Sequence, residues 1–371
     1  MTSSDWRMIM EGNNTTIVVG GHFGDEGKGK VISYLAQKDK PAIVARAGVG
    51  PNAGHTIYKN GKEYGLRMVP CGFVNVGSRL FIGAGVLVDS KCFLEEVKVT
   101  ETNGRIFLDK RCAIIEQKHK DLDSGNKFLK EKVGTTGSGC GPANQERAGR
   151  TIKLAQDIPE LSAYLTDVPL EVNTAISAGK KVIIEASQGF GLSLFYGTYP
   201  FVTSKDTSAS MAACDIGVGP TKIKDVIVVY KAYTTRVGAG PMEHFVDEQN
   251  IKDYPIWQEI LKEAKAKGHT GTVNEILAKH LGEKGTVTGR ARRVGDFDYG
   301  LAKYSAMING ATQLCITCLD KMFPECKDVT SYDKLSARAK EHISRIEKAI
   351  GVKVTMISTG PKAEDMVDLR K

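Results

Sequence analysis

An apolar, β-branched run from Thr15 to Val19 passes into Gly20-Gly-His-Phe-Gly-Asp-Glu-Gly-Lys-Gly-Lys30, and then into Val31 to Leu35, whose spacing suits the start of a helix. The order predicted is strand, glycine loop, helix. Five glycines among these eleven residues let the backbone turn its N–H groups inward, and the helix start adds a partial positive charge, so the loop is a cradle for phosphates. Asp25 is the odd residue in it. A carboxylate repels phosphate unless a divalent cation or a proton transfer employs it, so Asp25 reads as an Mg²⁺ ligand or a general base. Gly24-x-x-x-x-Gly29-Lys30 follows the first seven positions of a P-loop, but Val31 stands where that motif has Ser or Thr. Taken alone, the loop fits a tight glycine turn with solvated lysines equally well.

The rest of the chain repeats the theme. Ala42 to Arg46 reads as a second strand, and the loop after it, Ala47 to Thr56, has glycines at 48, 50 and 54 that present Asn52 and His55. A histidine in such a loop points to catalysis or phosphate binding. His22 could touch a ligand by its place in the first loop. Leu66 to Val69 and Arg79 to Gly83 read as strands, and Cys112 to Leu129 as an amphipathic helix. Gly134-Thr-Thr-Gly-Ser-Gly-Cys-Gly-Pro142 offers hydroxyls and N–H groups to a second phosphate, with Arg147 and Arg150 following. Lys181 to Ala186 is a strand leading to Gln188, whose amide can read a donor and an acceptor on a planar base.

Val226 to Tyr230 reads as a strand of the parallel, doubly covered kind. Pro255 to Leu281 is helical, broken near Gly268 to Gly271. Gly285 to Gly295 then carries Arg290, Arg292 and Arg293 between glycines, a clamp for carboxylate or phosphate. Gln313 to Leu319 reads as a strand ending at Asp320, Ser331 to Ile350 as a long helix, and Val352 to Ile357 as a last strand. The fold class predicted is α/β: a large, mostly parallel central sheet flanked by helices, with a P-loop-like nucleotide-binding core and insertions. Residues 1–15 read as a disordered lead-in, 16–371 as one large domain, and about 250–284 as a peripheral helical insertion.

Net charge +8 suits anionic partners, and because the Lys and Arg residues are scattered, a nucleotide-sized ligand fits better than a nucleic acid. No stretch approaches a transmembrane helix, and the first fourteen residues lack the apolar core of a signal peptide. Eight cysteines without a framework suit reduced thiols, so the expectation is a cytoplasmic protein away from membranes. Cys315-x-x-Cys318, inside an apolar run, reads as core packing rather than a metal or redox pair.

These blocks resemble the adenylosuccinate synthetase family, most closely its compact archaeal branch. The resemblance rests on Gly24-Asp-Glu-Gly-Lys-Gly-Lys30, Asn52-Ala-Gly-His-Thr56, Gly134-Thr-Thr-Gly, Gly197-Thr-Tyr-Pro-Phe-Val-Thr-Ser204, Tyr233-Thr-Thr-Arg-Val-Gly238, Thr288-Gly-Arg290 and Ser358-Thr-Gly-Pro361, in the family's order. It implies a ligase joining L-aspartate to C6 of a 6-oxopurine nucleotide, IMP to adenylosuccinate, through a 6-phosphoryl intermediate with GTP or ATP as co-substrate. It implies Asp25 as the base that takes the N1 proton and His55 as the stabiliser of the transferring phosphoryl. Gly24, Glu26, Gly27, Lys28, Gly29 and Lys30, with Gly54 and Thr56, would hold the triphosphate, and Mg²⁺ would sit near Asp25 and Gly54. Asn52, Thr135, Thr136, Gln188 and Thr203 would hold the acceptor nucleotide, with Arg150 reaching its phosphate from a neighbouring subunit of a homodimer. Thr288, Arg290 and Arg292 would hold the aspartate carboxylates. Asp320, with Ser358 and Gly360, would hold the donor base.

The chain departs from the family pattern at His22-Phe23, where Gln-Trp is usual, and at Thr317-Cys-Leu-Asp320, which lacks the usual Lys. Phage enzymes of this kind use dGMP to make 2-amino-2'-deoxyadenylosuccinate, and many carry Phe at the position of Phe23. They replace the catalytic Asp, which is kept here as Asp25. That activity, with ATP as donor, is the alternative. From another class, a non-catalytic GTPase-like nucleotide-binding regulator would lack Asp25 or His55, and a nucleoside monophosphate kinase has no use for the Thr288 to Arg292 clamp.

Overall fold

The computed structural model describes residues 14–284 and 291–370. Its strands are β1 Thr15–Gly20, β2 Ile43–Arg46, β3 His55–Lys59, β4 Lys62–Leu66, β5 Arg79–Ile82, β6 Leu87–Val88, β7 Ile106–Asp109, β8 Ala113–Ile114, β9 Leu165–Thr166, β10 Val182–Glu185, β11 Asp225–Lys231, β12 Thr234–Arg236, β13 Arg293–Gly295, β14 Gln313–Thr317, β15 Val354–Ser358 and β16 Met366–Asp368. Ten of these form one sheet, in the order β16-β15-β14-β11-β1-β10-β2-β5-β7-β9. Every neighbouring pair is parallel except β15 with β16. The α/β architecture with a mostly parallel sheet is thus the one the strand and helix patterns predict.

The strands are apolar on both sides because both faces of the sheet are covered. Along β1, Ile17 and Val19 pack into one apolar cluster while Val18 packs into a second on the opposite face. The parallel strands therefore deliver their C-terminal ends, Gly20, Arg46, Glu185, Lys231 and Thr317, to one edge, and the glycine-rich loops leave from there. Helix Lys28–Asp39 follows the first loop, entered through Gly27 at φ 83. Gly29 is needed for close packing: a Cβ there would stand 2.9 Å from the His55 Cβ and 3.1 Å from Cys71 Sγ.

Several elements differ from the sequence expectation. The strand expected over Leu66 to Val69 does not run past Leu66, the last residue of β4, because the main-chain N–H groups of Arg67, Met68 and Val69 turn inward to donate to the buried Glu96 carboxylate. The helix expected over Cys112 to Leu129 is confined to Gln117–Gly125, since Ala113–Ile114 pairs with β6 and Glu116 with His119 forms a capping box. The helix expected from Ser331 begins at Ala337, capped by the Ser336 hydroxyl. Asp320 lies in a short helix, Leu319–Met322, entered through Cys318 at φ 56, rather than at a strand end.

Helices Pro255–Ala266 and Val273–His280 pack on each other, and Trp257, Ile260 and Leu277 join the larger apolar cluster of the sheet. The expected lead-in falls almost wholly on residues outside those described. No helix among the described residues is long and apolar enough to cross a membrane.

Candidate active site

The loops leaving the sheet edge enclose a cavity of about 960 Å³, lined by Gly24, Asp25, Gly27, Lys28 and Gly29 from the first loop and by Asn52, Gly54, His55 and Thr56 from the second. Thr135, Thr136, Gln188, Thr203, Arg236 and Arg292 complete much of the wall. Residues far apart in sequence thus meet in one place. Thr288 and Arg290 lie outside the described residues.

Glu26 is buried and braces the first loop from within. Its Oε1 accepts from the N–H groups of Gly24 at 2.8 Å and His22 at 3.1 Å, and its Oε2 from Lys28 Nζ at 2.9 Å. Burial pushes the Glu26 carboxyl up, but the Lys28 charge, the Lys28 hydrogen bond and the main-chain N–H donors together outweigh it, and the net shift is downward. Lys28 also donates to the Gln188 carbonyl. Glu26 therefore holds the cradle rather than lining it. Asp25 and Gln188 sit beside this brace at φ 59 and φ 57, in the left-handed region that costs a non-glycine residue on the order of 1 kcal/mol. The surroundings hold both in place: a Cβ on Gly189 would stand 2.2 Å from the Gly24 nitrogen, so the two loops touch backbone to backbone.

Asp25 meets Arg292, whose Nε donates to Oδ2 at 2.8 Å; the Asp25 side chain keeps 24% of its surface exposed to the cavity, against 10% for Arg292. Asn52, Gln188 and Thr203 form one hydrogen-bonded chain, with Gln188 Nε2 donating to Asn52 Oδ1 at 2.8 Å and Asn52 Nδ2 to Thr203 Oγ1 at 3.2 Å. Thr135 donates to Asp123 at 2.7 Å, and the hydroxyls of Thr136 and Ser138 pair at 2.7 Å.

Other residues stand apart from the cavity wall. Lys30 points away, donating to Ser358 Oγ at 2.6 Å, to the Asp365 carbonyl at 2.9 Å and to the Gly360 carbonyl. Asp320 is close enough for its charge to act on Lys30, so Lys30, Ser358, Gly360 and Asp320 form a second locus. Arg150 is exposed, just past helix Cys140–Ala148, at φ 65. His22, expected to be able to reach a ligand, is buried instead, with Nε2 at 3.1 Å from the Asp298 carbonyl and its ring edge-on to Tyr230 and Phe297.

His55 opens a strand rather than lying loose in a loop, and two residues the motif reading passed over explain its setting. Its Nδ1 is 2.5 Å from Glu185 Oε1, and Arg46 Nη1 donates to the same oxygen at 2.7 Å. Arg46 and Glu185 are register partners at the ends of neighbouring strands. Burial, then the Arg46 charge, brings the His55 pKa down to about 4; Glu185, which burial alone would push up, is brought down to about 2 by His55 and Arg46. A pKa lowered this far leaves the imidazole neutral near pH 7, and the Glu185 carboxylate at Nδ1 favours the tautomer that carries its proton there. Negative charge arriving in the cavity makes a second proton on Nε2 favourable, and the ring becomes a donor to an anion. The group His55, Cys71 and Glu185 has the donor types of a metal site, but Arg46 already supplies the cation there and burial pushes the Cys71 thiol far above its ordinary range. A signal for the pair existed in the sequence: a single charge closes each of two otherwise apolar strands, Ile-Val-Ala-Arg46 and Val-Ile-Ile-Glu185.

A glycine-rich loop, a carboxylate, a histidine and an amide chain on one cavity agree with the family model described as adenylosuccinate synthetase, which matches residues 17–158 and 152–327. The chain belongs to this family. It is 53% identical over 358 residues to the adenylosuccinate synthetase of Methanosphaera stadtmanae, covering 96% of this chain and 98% of the relative. The enzyme of Archaeoglobus fulgidus is 52% identical over 356 residues, with the same coverage of both. Among solved structures, the fully ligated adenylosuccinate synthetase of Plasmodium falciparum superposes with a TM-score of 0.83 at 25% identity, over 96% of this chain and all of that one. The succinoaminodeoxyadenylate synthetase of cyanophage S-2L, bound to dGMP and dATP, shares the fold with a TM-score of 0.74 at 23% identity, covering 97% of this chain and 96% of the phage one. As a member of the family, the chain is a nucleotide-dependent C–N ligase acting on small molecules.

Proposed function

We propose that the chain condenses IMP with L-aspartate to give adenylosuccinate, with GTP hydrolysed to GDP and phosphate. The observation that carries this reading is the meeting of Asp25, His55, Arg292 and the Asn52–Gln188–Thr203 chain on a single cavity. Asp25 takes the proton from N1 of the base, so that O6 attacks the γ-phosphorus and the bond to the β-bridging oxygen breaks. His55, protonated on Nε2 as the charge arrives and held by Glu185, donates to the transferring phosphoryl. The amine of aspartate then attacks C6 and inorganic phosphate leaves. Asn52, Gln188 and Thr203, with Thr135 and Thr136, hold the acceptor, and Arg292, with Thr288 and Arg290, the aspartate carboxylates.

The wall suits Mg²⁺: Asp25 offers a partly exposed carboxylate there, Gly54 lines the same cavity, and a hard cation of this kind needs only one or two protein oxygens beside phosphate and water. Bound there, it would neutralise phosphate charge. GTP is favoured as donor because Asp320 can accept from both N1–H and the 2-amino group of guanine, whereas N1 of adenine is itself an acceptor. Burial pushes the Asp320 carboxyl up, and two such donors would offset that cost. The reading includes a homodimer, with Arg150 directed to the partner's acceptor phosphate. It treats residues 16–371 as one synthetase domain with a peripheral helical stretch at about 250–284. Eight free cysteines suit the cytoplasm.

The test is purified protein with aspartate and Mg²⁺, offering IMP or dGMP against GTP or ATP, and following phosphate release and the ultraviolet absorbance of the succinylated base. Turnover with IMP and GTP is expected. Turnover with dGMP alone would assign the phage-type reaction, and nucleotide binding without phosphate release would make the protein a regulator.

A further inference from the structure

Glu283 has 1% of its surface exposed, yet four donors from three parts of the chain surround its carboxylate. Oε2 accepts from Arg292 Nη1 at 2.6 Å and Lys231 Nζ at 2.8 Å; Oε1 accepts from the Tyr233 hydroxyl at 2.5 Å and Lys321 Nζ at 3.4 Å. The main chain repeats the tie, since the Arg292 N–H donates to the Glu283 carbonyl at 3.1 Å and residues 284 and 291 form an antiparallel bridge. Arg292 is thus held twice by Glu283, and its remaining edge reaches Asp25 through Nε at 2.8 Å. One planar guanidinium spans the two carboxylates. A guanidinium presents its donors in a rigid fork, so fixing Nη1 on one acceptor fixes the direction of Nε. Around this fork Lys231, Lys321 and Arg292 face Glu283 and Asp25, three cations to two anions, and both Arg292 and Lys321 line the cavity.

We infer that Glu283 is a positioning residue for the reaction: it touches no substrate, but holds Arg292 in the orientation that meets Asp25 and faces the cavity. The inference rests on the ligase reading given above and adds to it the residue through which the Arg292 segment of the site is registered on the first glycine loop. Arg292 without Glu283 keeps its charge but loses its direction. Misplacement by about 1 Å at a reacting centre costs roughly 10²-fold in rate. Accordingly, Glu283→Gln should lower kcat roughly 10–100-fold and raise the KM for aspartate, while the KM for IMP stays within about 3-fold.

A purely structural role would not produce the pattern expected in a double-mutant cycle with Arg292→Leu. If Glu283 acts through Arg292, adding Glu283→Gln to Arg292→Leu costs less than about 2-fold more; if the two losses multiply, the inference is overturned. Because Glu283→Gln leaves Lys231, Arg292 and Lys321 short of a counter-charge, the cycle is run in parallel with the buried Lys231 changed, Lys231→Met, in each Glu283→Gln protein, which removes one cation with the anion. Circular dichroism and thermal melting check the fold of each variant. Failure of both Glu283 variants to fold would assign the residue to stability alone and overturn the inference. Wild-type protein inactive with IMP, aspartate and GTP would overturn the ligase reading and this inference with it; active wild type with multiplying losses overturns this inference only.

Discussion

His55 Nδ1 lies 2.5 Å from Glu185 Oε1, deep enough that the carboxylate is fully buried and the ring has only 7% of its surface exposed. Glu185 is anchored in turn: its second oxygen accepts from the Cys71 N–H at 2.7 Å. The carboxylate therefore fixes the ring, and in the reaction proposed above it supports the positive charge the ring takes up beside the phosphoryl group. Glu185→Gln keeps the shape and loses the charge. Its kcat should fall roughly 10²-fold with KM values nearly unchanged, since the lost interaction belongs to the transition state. Steady-state kinetics would settle the point, and a kcat within about 2-fold of wild type would show that the Glu185 charge does not act through His55 in the phosphoryl transfer.

The same pair makes stability depend on pH. His55 has its folded pKa lowered to about 4 from 6.5, so between those values the unfolded chain binds a proton that the folded one refuses, and stability falls as pH drops. Glu185, lowered to about 2 from 4.5, contributes stability above pH 4.5 that is lost as pH falls toward 2. The two slopes have the same sign and follow one another. Melting temperatures between pH 7.5 and 4 should fall by a few degrees for wild type, and His55→Gln should flatten the upper part of that slope. An unchanged slope in the variant would mean that other groups set it.

Asp25 holds φ 59, a conformation that asparagine adopts readily and alanine does not. Asp25→Asn is therefore the cleaner probe of the general base, because Asp25→Ala mixes loss of the carboxylate with backbone strain. The expectation is a folded protein with wild-type melting temperature and a kcat lower by roughly 10²–10⁴-fold. More than about a tenth of wild-type turnover in Asp25→Asn would sink the assignment.

How much of this was legible in the sequence depends on whether a residue's partner is near in the chain or near in space. The glycine loop after β1 and the strands Ile43–Arg46, Val182–Glu185 and Asp225–Lys231 announce themselves through local apolar runs and turn residues. That Asn52, Gln188 and Thr203 meet could be anticipated only because the family resemblance gives all three to the acceptor nucleotide, since no local pattern links positions 136 and 151 residues apart. Glu96 shows the limit. Its carboxylate, from a helix 27 to 29 residues on, stops the strand at Leu66 by drawing the N–H groups of Arg67 to Val69 inward, and apolar periodicity carries no trace of those bonds. The short edge strand Met366–Asp368 was missed for a similar reason: it is three residues long and its pairing with β15 is tertiary.

Arg150 offers a test of the dimer that needs no structure of the assembly. It is exposed on its own protomer and stands outside the cavity wall, so if it serves the acceptor phosphate it must serve a partner's site. Arg150→Leu and Asp25→Asn homodimers should then each be nearly inactive, for different reasons. In a mixed dimer one site collects both lesions while the other collects neither. With random exchange about half the dimers are mixed and half of their sites are intact, so mixing equal amounts should restore about a quarter of wild-type activity, in an isologous dimer whose two sites are equivalent. The recovered sites should have the wild-type KM for IMP. Absence of recovery after subunit exchange, verified with differently tagged protomers, would show that Arg150 does not cross to the partner's site.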